Sequence, residues 1–341
     1  MKKVGYILLD GCSDRPVPSL NYSTPLEVAN TPNLDAIARK GQMGQVITVG
    51  KGISPESDIA VFNMLGYAFD KGYPGRGVVE SIGAGLEFKD GDLALRANFA
   101  TSSDGKITDR RAGRDMTADD AKTLQEELKR VKLTDAEFEF RSTIGHRAVL
   151  VIRAHRPLSA EISNTDPGYV RMKGFGAATQ AKDVEAIQTC KPLQRSAASK
   201  RAAELVNAFS VQAMKILDDA KVNKERKKNG KKAANMLLFR DAGSFTPKLP
   251  SFEERHHYQG VALVEMPAEV GIAILLKMKM VKVHDPADLS GKAKLFKREM
   301  KEGTVVYAHI KGPDEFGHDG DALGKRGNIE IIDREFFSPI S

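Results

Sequence analysis

Asp314-Glu315-Phe316-Gly317-His318 sets a carboxylate and an imidazole four residues apart. On one helical turn, or in a tight loop, that spacing lets both point into one site. Hard oxygen with borderline nitrogen suits Mn, Zn, Co or, less well, Mg. Spacing alone is equally consistent with a surface histidine beside the acidic Asp319 and Asp321. Asp10 follows the apolar run Val4 to Leu9 directly. An acid at the end of a buried strand can be a metal ligand, a helix cap or a turn former, and Asp10-Gly11 is also a common turn. Ser57, in Pro55-Glu56-Ser57-Asp58 ahead of an apolar helix, is the candidate nucleophile. A serine at a helix start usually caps it. The functional alternative gains from backbone N–H groups that hold phosphate oxygens, and from a metal that lowers the hydroxyl pKa. Arg110, Arg111 and Arg114 cluster within Asp109 to Arg114, and Arg76 lies between Gly75 and Gly77, where the backbone can bend around a ligand. Their forks match carboxylate and phosphate oxygens, or else form a surface salt-bridge cluster.

These residues need elements to hold them. Val4 to Leu9 reads as a strand buried on both faces of a parallel sheet. Thr31 is an N-cap candidate, with Pro32 at the first position of a helix that Gly41 ends; Leu34, Ile37 and Ala38 form its apolar stripe. Val46 to Val49 is a strand candidate, and Ser57 to Leu65 a helix with Ile59, Phe62 and Leu65 on one side. From Gly72 the texture becomes glycine-rich. Strands are expected over Leu93 to Ala100, Ala148 to Arg153 and Met236 to Phe239, an exposed helix over Ala118 to Val131, and a long helix over Ser196 to Ala220. Near residue 255 the first texture returns, with strands at Val261 to Val264, Met280 to Val283 and Thr304 to Ile310. Helices are expected at Glu269 to Leu276 and Asn328 to Phe337. The pattern is an α/β domain split in sequence, residues 1–71 plus 251–341, with a second domain inserted over 72–250. Open α/β sheets gather ligands at the carboxyl ends of their strands, where Asp10 and Asp314 fall.

A chain of 341 residues favours two domains. No apolar run approaches the ~20 residues of a bilayer span, and Met-Lys-Lys followed by Val4 to Leu9 lacks a signal peptide's length and cleavage site. Two cysteines, Cys12 and Cys190, are too few for a disulfide framework or thiolate metal site, which fits a cytoplasmic location. The net charge of +7 is concentrated in Lys221 to Lys232, expected as a solvated loop after a helix. No aromatic interrupts that run and no nucleic-acid-binding motif accompanies it, so a small anionic partner is favoured over nucleic acid or membrane, with an oligomer left open.

Taken in order, Ile7 to Gly11, Asp14-Arg15-Pro16, Thr24 to Glu27, Ala29 to Asp35 and Pro55 to Asp58 resemble archaeal-type, cofactor-independent phosphoglycerate mutase. So do Gly75-Arg76-Gly77, Asn98 to Thr101, Asp109 to Arg114, Ile162 to Pro167 and Asp314 to Asp321. The resemblance runs almost from end to end. It implies the alkaline phosphatase superfamily: a mostly parallel sheet flanked by helices holds two divalent metals (Mn, Mg, Co or Zn), and an inserted α+β domain holds the substrate. It implies that Ser57 takes the phosphoryl group of 3-phosphoglycerate, and that reoriented glycerate receives it back on its other hydroxyl, without 2,3-bisphosphoglycerate. Asp10 and Ser57 would serve one metal, and Asp314 and His318 the other. Arg110, Arg111, Arg114 and Arg240 would contact substrate, with Arg76 a further candidate.

Two departures stand out. Family members continue through a further Asp-His pair and another histidine that complete both metal sites, whereas no histidine follows His318 here. Each metal would keep two protein ligands where catalytic zinc normally has three, so impaired activity is expected, from a truncated or a divergent chain. Val270 precedes Gly271-Ile272 where the family's lysine is expected. The alternatives are another phosphomonoester enzyme, either a phosphatase or a homoserine-kinase-like relative, or a non-catalytic phosphoglycerate-binding protein. No nucleotide-binding P-loop supports the kinase.

Overall fold

Aliphatic and β-branched runs fill a pleated surface well, and three of them, with one short lysine-flanked strand, make a parallel sheet. Val4–Leu9 pairs with Thr304–Ile310, which pairs with Gln259–Val264, which pairs with Lys279–Lys282. The computed structural model describes residues 2–52, 56–69, 72–172, 175–178 and 185–341. Ile53, Ser54 and Pro55, part of the serine motif, and Lys71, at the expected domain boundary, lie outside the described residues. The chain forms two compact units: Met1–Val46, Pro250–Glu269 and Leu275–Ser341 make one, and Ile47–Leu249 with Val270–Ile274 the other. Residues 47–71, and Ser57 with them, belong to the larger unit.

In the smaller unit Val261, Leu263, Val306, Ala308 and Ile310 pack against Ala293 and Phe296 of the helix Leu289–Glu299, and against Phe336. Val4–Leu9 was expected to be buried on both faces. It is instead the edge strand among the described residues, and Val4 is 37% exposed, because only Thr304–Ile310 pairs with it. The helix Pro32–Lys40 starts at Pro32 as expected, but Thr31 makes no capping hydrogen bond. Its orphan amides go to the buried Asp333, whose carboxylate accepts from Leu34 N at 2.7 Å and Asn33 N at 3.3 Å. Asn33 Nδ2 adds a bond at 2.8 Å. The helix expected near the chain's end runs over Ala322–Ile332, widens into a π-helical turn at Asp333–Phe337 and is followed by a last turn at Ser338–Ile340.

The larger unit is built on an antiparallel sheet. Its long strand Leu93–Ser103 lies between Arg147–Ala154 and Met236–Gly243 and also pairs with Lys106–Asp109. Side chains alternate across a strand, so Leu93, Leu95, Ala97 and Phe99 face one core with Leu124 of the helix Ala118–Leu128 and Phe209 of the helix Ala197–Asp219. Ala94 faces the other way, packing with Val78 of the helix Arg76–Gly83. Three further expectations fail. Val46 to Val49 is not a strand, and Val46 and Ile47 are exposed, because no neighbouring strand offers them a ladder. The basic run is not a loop: Lys221–Lys228 is a helix that buries Arg226. Arg226 Nη1 reaches Asp120 at 2.8 Å and its Nη2 binds Asp115, which holds the segment down. The helix Ala118–Leu128, expected to be exposed, buries Ala121, Leu124 and Leu128 along one stripe.

Candidate active site

In the smaller unit, Asp10 ends the first strand, and its amide bonds to Ile310 O at 2.9 Å. The turn after it needs glycine. Gly11 has φ +67°, and a Cβ there would lie 2.4 Å from the Cα of Asp314. The strand end bearing Asp10 and the helix Pro313–Asp319 are thus in contact through their backbones. On that helix Asp314 and His318 face each other one turn apart, Oδ2 to Nε2 3.5 Å, with side chains 44% and 64% exposed. The structure therefore brings Asp10, Asp314 and His318 to the carboxyl ends of two adjacent parallel strands.

Behind Asp10 it adds two buried groups, His309 and Glu269, that the sequence did not single out. Asp10 Oδ2 lies 3.1 Å from His309 Nε2, and His309 Nδ1 lies 3.3 Å from Glu269 Oε1. Lys311 Nζ reaches the same Glu269 oxygen at 2.5 Å. A signal existed: His309 is a lone imidazole near the carboxyl end of the apolar strand Thr304–Ile310. Among the described residues, however, no group of three or more His, Cys, Asp or Glu is arranged to hold a metal ion. The donors suit a divalent cation in kind, but the residues present do not by themselves make a complete metal centre.

In the larger unit, Ser57 is the first residue of the helix Ser57–Met64, whose Ile59 and Phe62, with Leu65 just beyond, are buried. Glu56, not Ser57, occupies the flanking cap position, and no side-chain capping bond is made. The hydroxyl of exposed Ser57 is therefore not engaged as a cap. Its neighbours are held inward. Glu56 Oε1 lies 2.9 Å from Arg96 Nη1, and buried Asp58 accepts from the Tyr73 hydroxyl. Burial pushes the Asp58 carboxyl up to about 6, against the pull of Arg76. It pushes Asp241 up to about 7. For Glu80 burial also acts upward, but Arg96 and Arg76 outweigh it and hold the carboxyl at about 2. Arg76, expected near the substrate, is only 16% exposed and pairs with Glu80 at 2.7 Å. The glycines flanking it serve packing: a Cβ on Gly75 would meet Ala242 O at 2.5 Å, and one on Gly77 would meet Ala94 O at 2.6 Å.

The other arginines gather in this unit. Asp166, buried, binds Arg110 Nη2 at 2.6 Å and Arg240 Nη1 at 2.9 Å. The Tyr169 ring lies under both, 4.2 Å from the Arg240 guanidinium and 5.4 Å from that of Arg110. Burial, then Arg114, Arg110 and Arg240, depress the Arg111 guanidinium. Burial and then Arg147, Arg111, Arg240 and Arg114 push His146 down to about 3. Such a concentration of positive charge attracts anions. Asp166 and Tyr169, which orient two of the guanidiniums, were not singled out from the sequence.

Residues 38–223 match the family model described as 2,3-bisphosphoglycerate-independent phosphoglycerate mutase. The chain is 42% identical to the 2,3-bisphosphoglycerate-independent phosphoglycerate mutase of Aeropyrum pernix, over 99% of this chain and 81% of that protein. It is 38% identical to that of Methanopyrus kandleri, over 98% of this chain and 78% of the relative. Among solved structures, a cofactor-independent phosphoglycerate mutase from Thermoplasma acidophilum aligns with a TM-score of 0.57 at 34% identity, over 100% of this chain and 83% of the other. A protein from Pyrococcus horikoshii aligns with a TM-score of 0.72 at 26% identity, over 99% and 78%.

Proposed function

The chain belongs to the 2,3-bisphosphoglycerate-independent phosphoglycerate mutase family, and from that premise we propose that it interconverts 2- and 3-phosphoglycerate through a phosphorylated Ser57. The observation that carries the serine's role is its setting: an exposed hydroxyl at the first position of a helix, released from capping. A phosphate placed there meets unpaired backbone N–H groups and the positive end of the helix dipole.

The Ser57 oxygen attacks phosphorus, the bond from phosphorus to the glycerate oxygen breaks, and the hydroxyl proton passes to the departing alkoxide. Glycerate then turns within the site. Its other hydroxyl attacks the phosphoserine, and the proton returns to the serine. No second phosphoryl donor enters the balance, in keeping with the 2,3-bisphosphoglycerate independence in the family's name. Arg110, Arg111, Arg114 and Arg240 are the contacts proposed for the phosphate and carboxylate, since forked donors orient a group that has little covalent chemistry to be helped. Metal donors are assigned as Asp10 with Ser57, and Asp314 with His318; bound divalent ions would neutralise charge on the transferring group. Two free cysteines accord with a cytoplasmic location. Among the described residues no helix is long and apolar enough to cross a membrane.

The test is acid-quenched mass spectrometry of the protein after mixing with 3-phosphoglycerate. Phosphate is expected on Ser57, and Ser57→Ala should lose the adduct and about 10³-fold or more of the isomerisation rate. Release of inorganic phosphate without isomerisation would instead identify a phosphatase, and wild-type turnover by the alanine variant would exclude the serine.

A further inference from the structure

A phosphoryl acceptor must be placed to within a fraction of an ångström, and an exposed serine at a helix start cannot do this through its own side chain. Its position is inherited from residues 56 and 58. Both of these are carboxylates with almost no exposed side-chain surface, 8% for Glu56 and 0% for Asp58. One guanidinium addresses both: Arg76 Nη1 lies 3.7 Å from Glu56 Oε1, and its Nε 3.9 Å from Asp58 Oδ1. Arg96 Nη1 takes the same Glu56 oxygen at 2.9 Å. Glu80 stands between the two arginines, with Oε1 at 2.7 Å from Arg76 Nε and Oε2 at 3.1 Å from Arg96 Nε. Arg96 Nη1 continues to Asp241 at 3.1 Å.

We propose that Arg76, backed by Arg96, is a positioning residue that fixes Ser57 by gripping the carboxylates on either side of it, and is not a ligand of the substrate. The inference rests on Ser57 being the nucleophile. The charge balance disfavours a substrate role, because the carboxyl groups of Glu56, Asp58, Glu80 and Asp241 surround and outnumber the two guanidiniums. The anchorage is rigid. Arg76 opens a helix pressed by its flanking glycines against backbone carbonyls of the sheet, while Arg96 and Asp241 sit on adjacent strands of that sheet. The alternation runs on through Arg240, whose Nε is 3.3 Å from Asp241, to Asp166 and Arg110. One ion-pair frame thus holds both the nucleophile's neighbours and two arginines of the anion site.

Arg76→Ala, Arg76→Lys, Glu56→Gln and the Glu56→Gln/Arg76→Ala double variant test this in the full chain. Readouts are kcat, KM, the single-turnover rate of phosphoserine formation and calorimetric affinity for 3-phosphoglycerate. Arg76→Ala should lower kcat and the single-turnover rate about 100-fold, while KM and affinity stay within about twofold. Lysine, which keeps the charge without the fork, should recover about tenfold of that loss. Glu56→Gln should fall in the same direction, and the double variant should be no slower than Arg76→Ala, because both changes cut one linkage. Should Arg76→Ala fail to fold, the near-isosteric Glu56→Gln decides on the same criteria. A tenfold weaker affinity with unchanged kcat would make Arg76 a substrate ligand and overturn the proposal, as would wild-type rates in Arg76→Ala and Glu56→Gln. Ser57→Ala, run in parallel, separates the two layers. Full activity there removes the nucleophile and the positioning role together. An inactive Ser57→Ala beside unaffected Arg76 and Glu56 variants removes the positioning role alone.

Discussion

His146 stays neutral because its burial and the charges of Arg147, Arg111, Arg240 and Arg114 all oppose a further proton, so its pKa falls to about 3 from the ordinary 6.5. Below pH 6.5 the unfolded chain takes up a proton that the folded chain refuses until about pH 3. The stability linked to this residue is therefore fully present above pH 6.5 and is lost as pH falls towards 3. His146→Gln, which cannot titrate, is expected to show a shallower loss of urea midpoint between pH 6.5 and 3.5 than the unaltered protein. Parallel profiles for the two would mean that the imidazole is not held neutral by its surroundings. At this scale the sequence was informative about type but not about partner. Ser57, Asp10 and the arginines stand out by kind and neighbourhood, whereas the link from Asp10 to His309 spans 299 residues and leaves no local trace.

The helix Pro32–Lys40 shows what an element's ends depend on. Its start was legible from Pro32, since proline fits the first turn where an amide is unneeded. The partner for its free amides was not legible, because Asp333 comes from the other end of the chain. Loss of a helix-start acceptor costs about 0.5–2 kcal/mol, and Asp333→Ala should destabilise the protein by about 2 kcal/mol without altering the kinetics of phosphoryl transfer. A urea midpoint unchanged from the parent would show that the helix start is held by something else. The Gly75-Arg76-Gly77 motif carries the converse lesson. Its glycines look from sequence like a flexible ligand loop, yet they are required where a helix start abuts the sheet.

The whole molecule consists of two units, each with its own core, and the candidate groups are divided between them. Asp10, Asp314 and His318 fall in the smaller unit, and Ser57 with the arginines in the larger. If divalent ions serve both groups, dialysis against EDTA should abolish interconversion and added Mn should restore it, with the rate of phosphoserine formation following the same course. Undiminished turnover after chelation would remove metals from the scheme. The parallel α/β sheet, the individual strands of the larger unit and most helices were legible, because aliphatic periodicity and breakers act locally; the antiparallel pairing of those strands was not. Val46 to Val49 misled because β-branched residues form a strand only where a ladder accepts them. The basic run misled because Arg226 is buried by carboxylates about 110 residues away in sequence, a pairing that no charge count reveals.

The sequence by itself determined the family, the nucleophile candidate, the carboxylate–imidazole pair at residues 314 and 318, and the arginines suited to an anion. Those rest on contiguous motifs and residue chemistry. Tertiary structure alone decided what each group is attached to. It set Arg76 against Glu56, Asp58 and Glu80, placed His309 and Glu269 behind Asp10, and put Asp166 between Arg110 and Arg240. The physical reason is range. Helices, strands and turns follow from interactions a few residues long, whereas many ion pairs of the site join distant residues, as Arg96 does with Glu80, 16 positions away, and with Asp241, 145 away. Only the folded sheet brings these together and excludes water from between them.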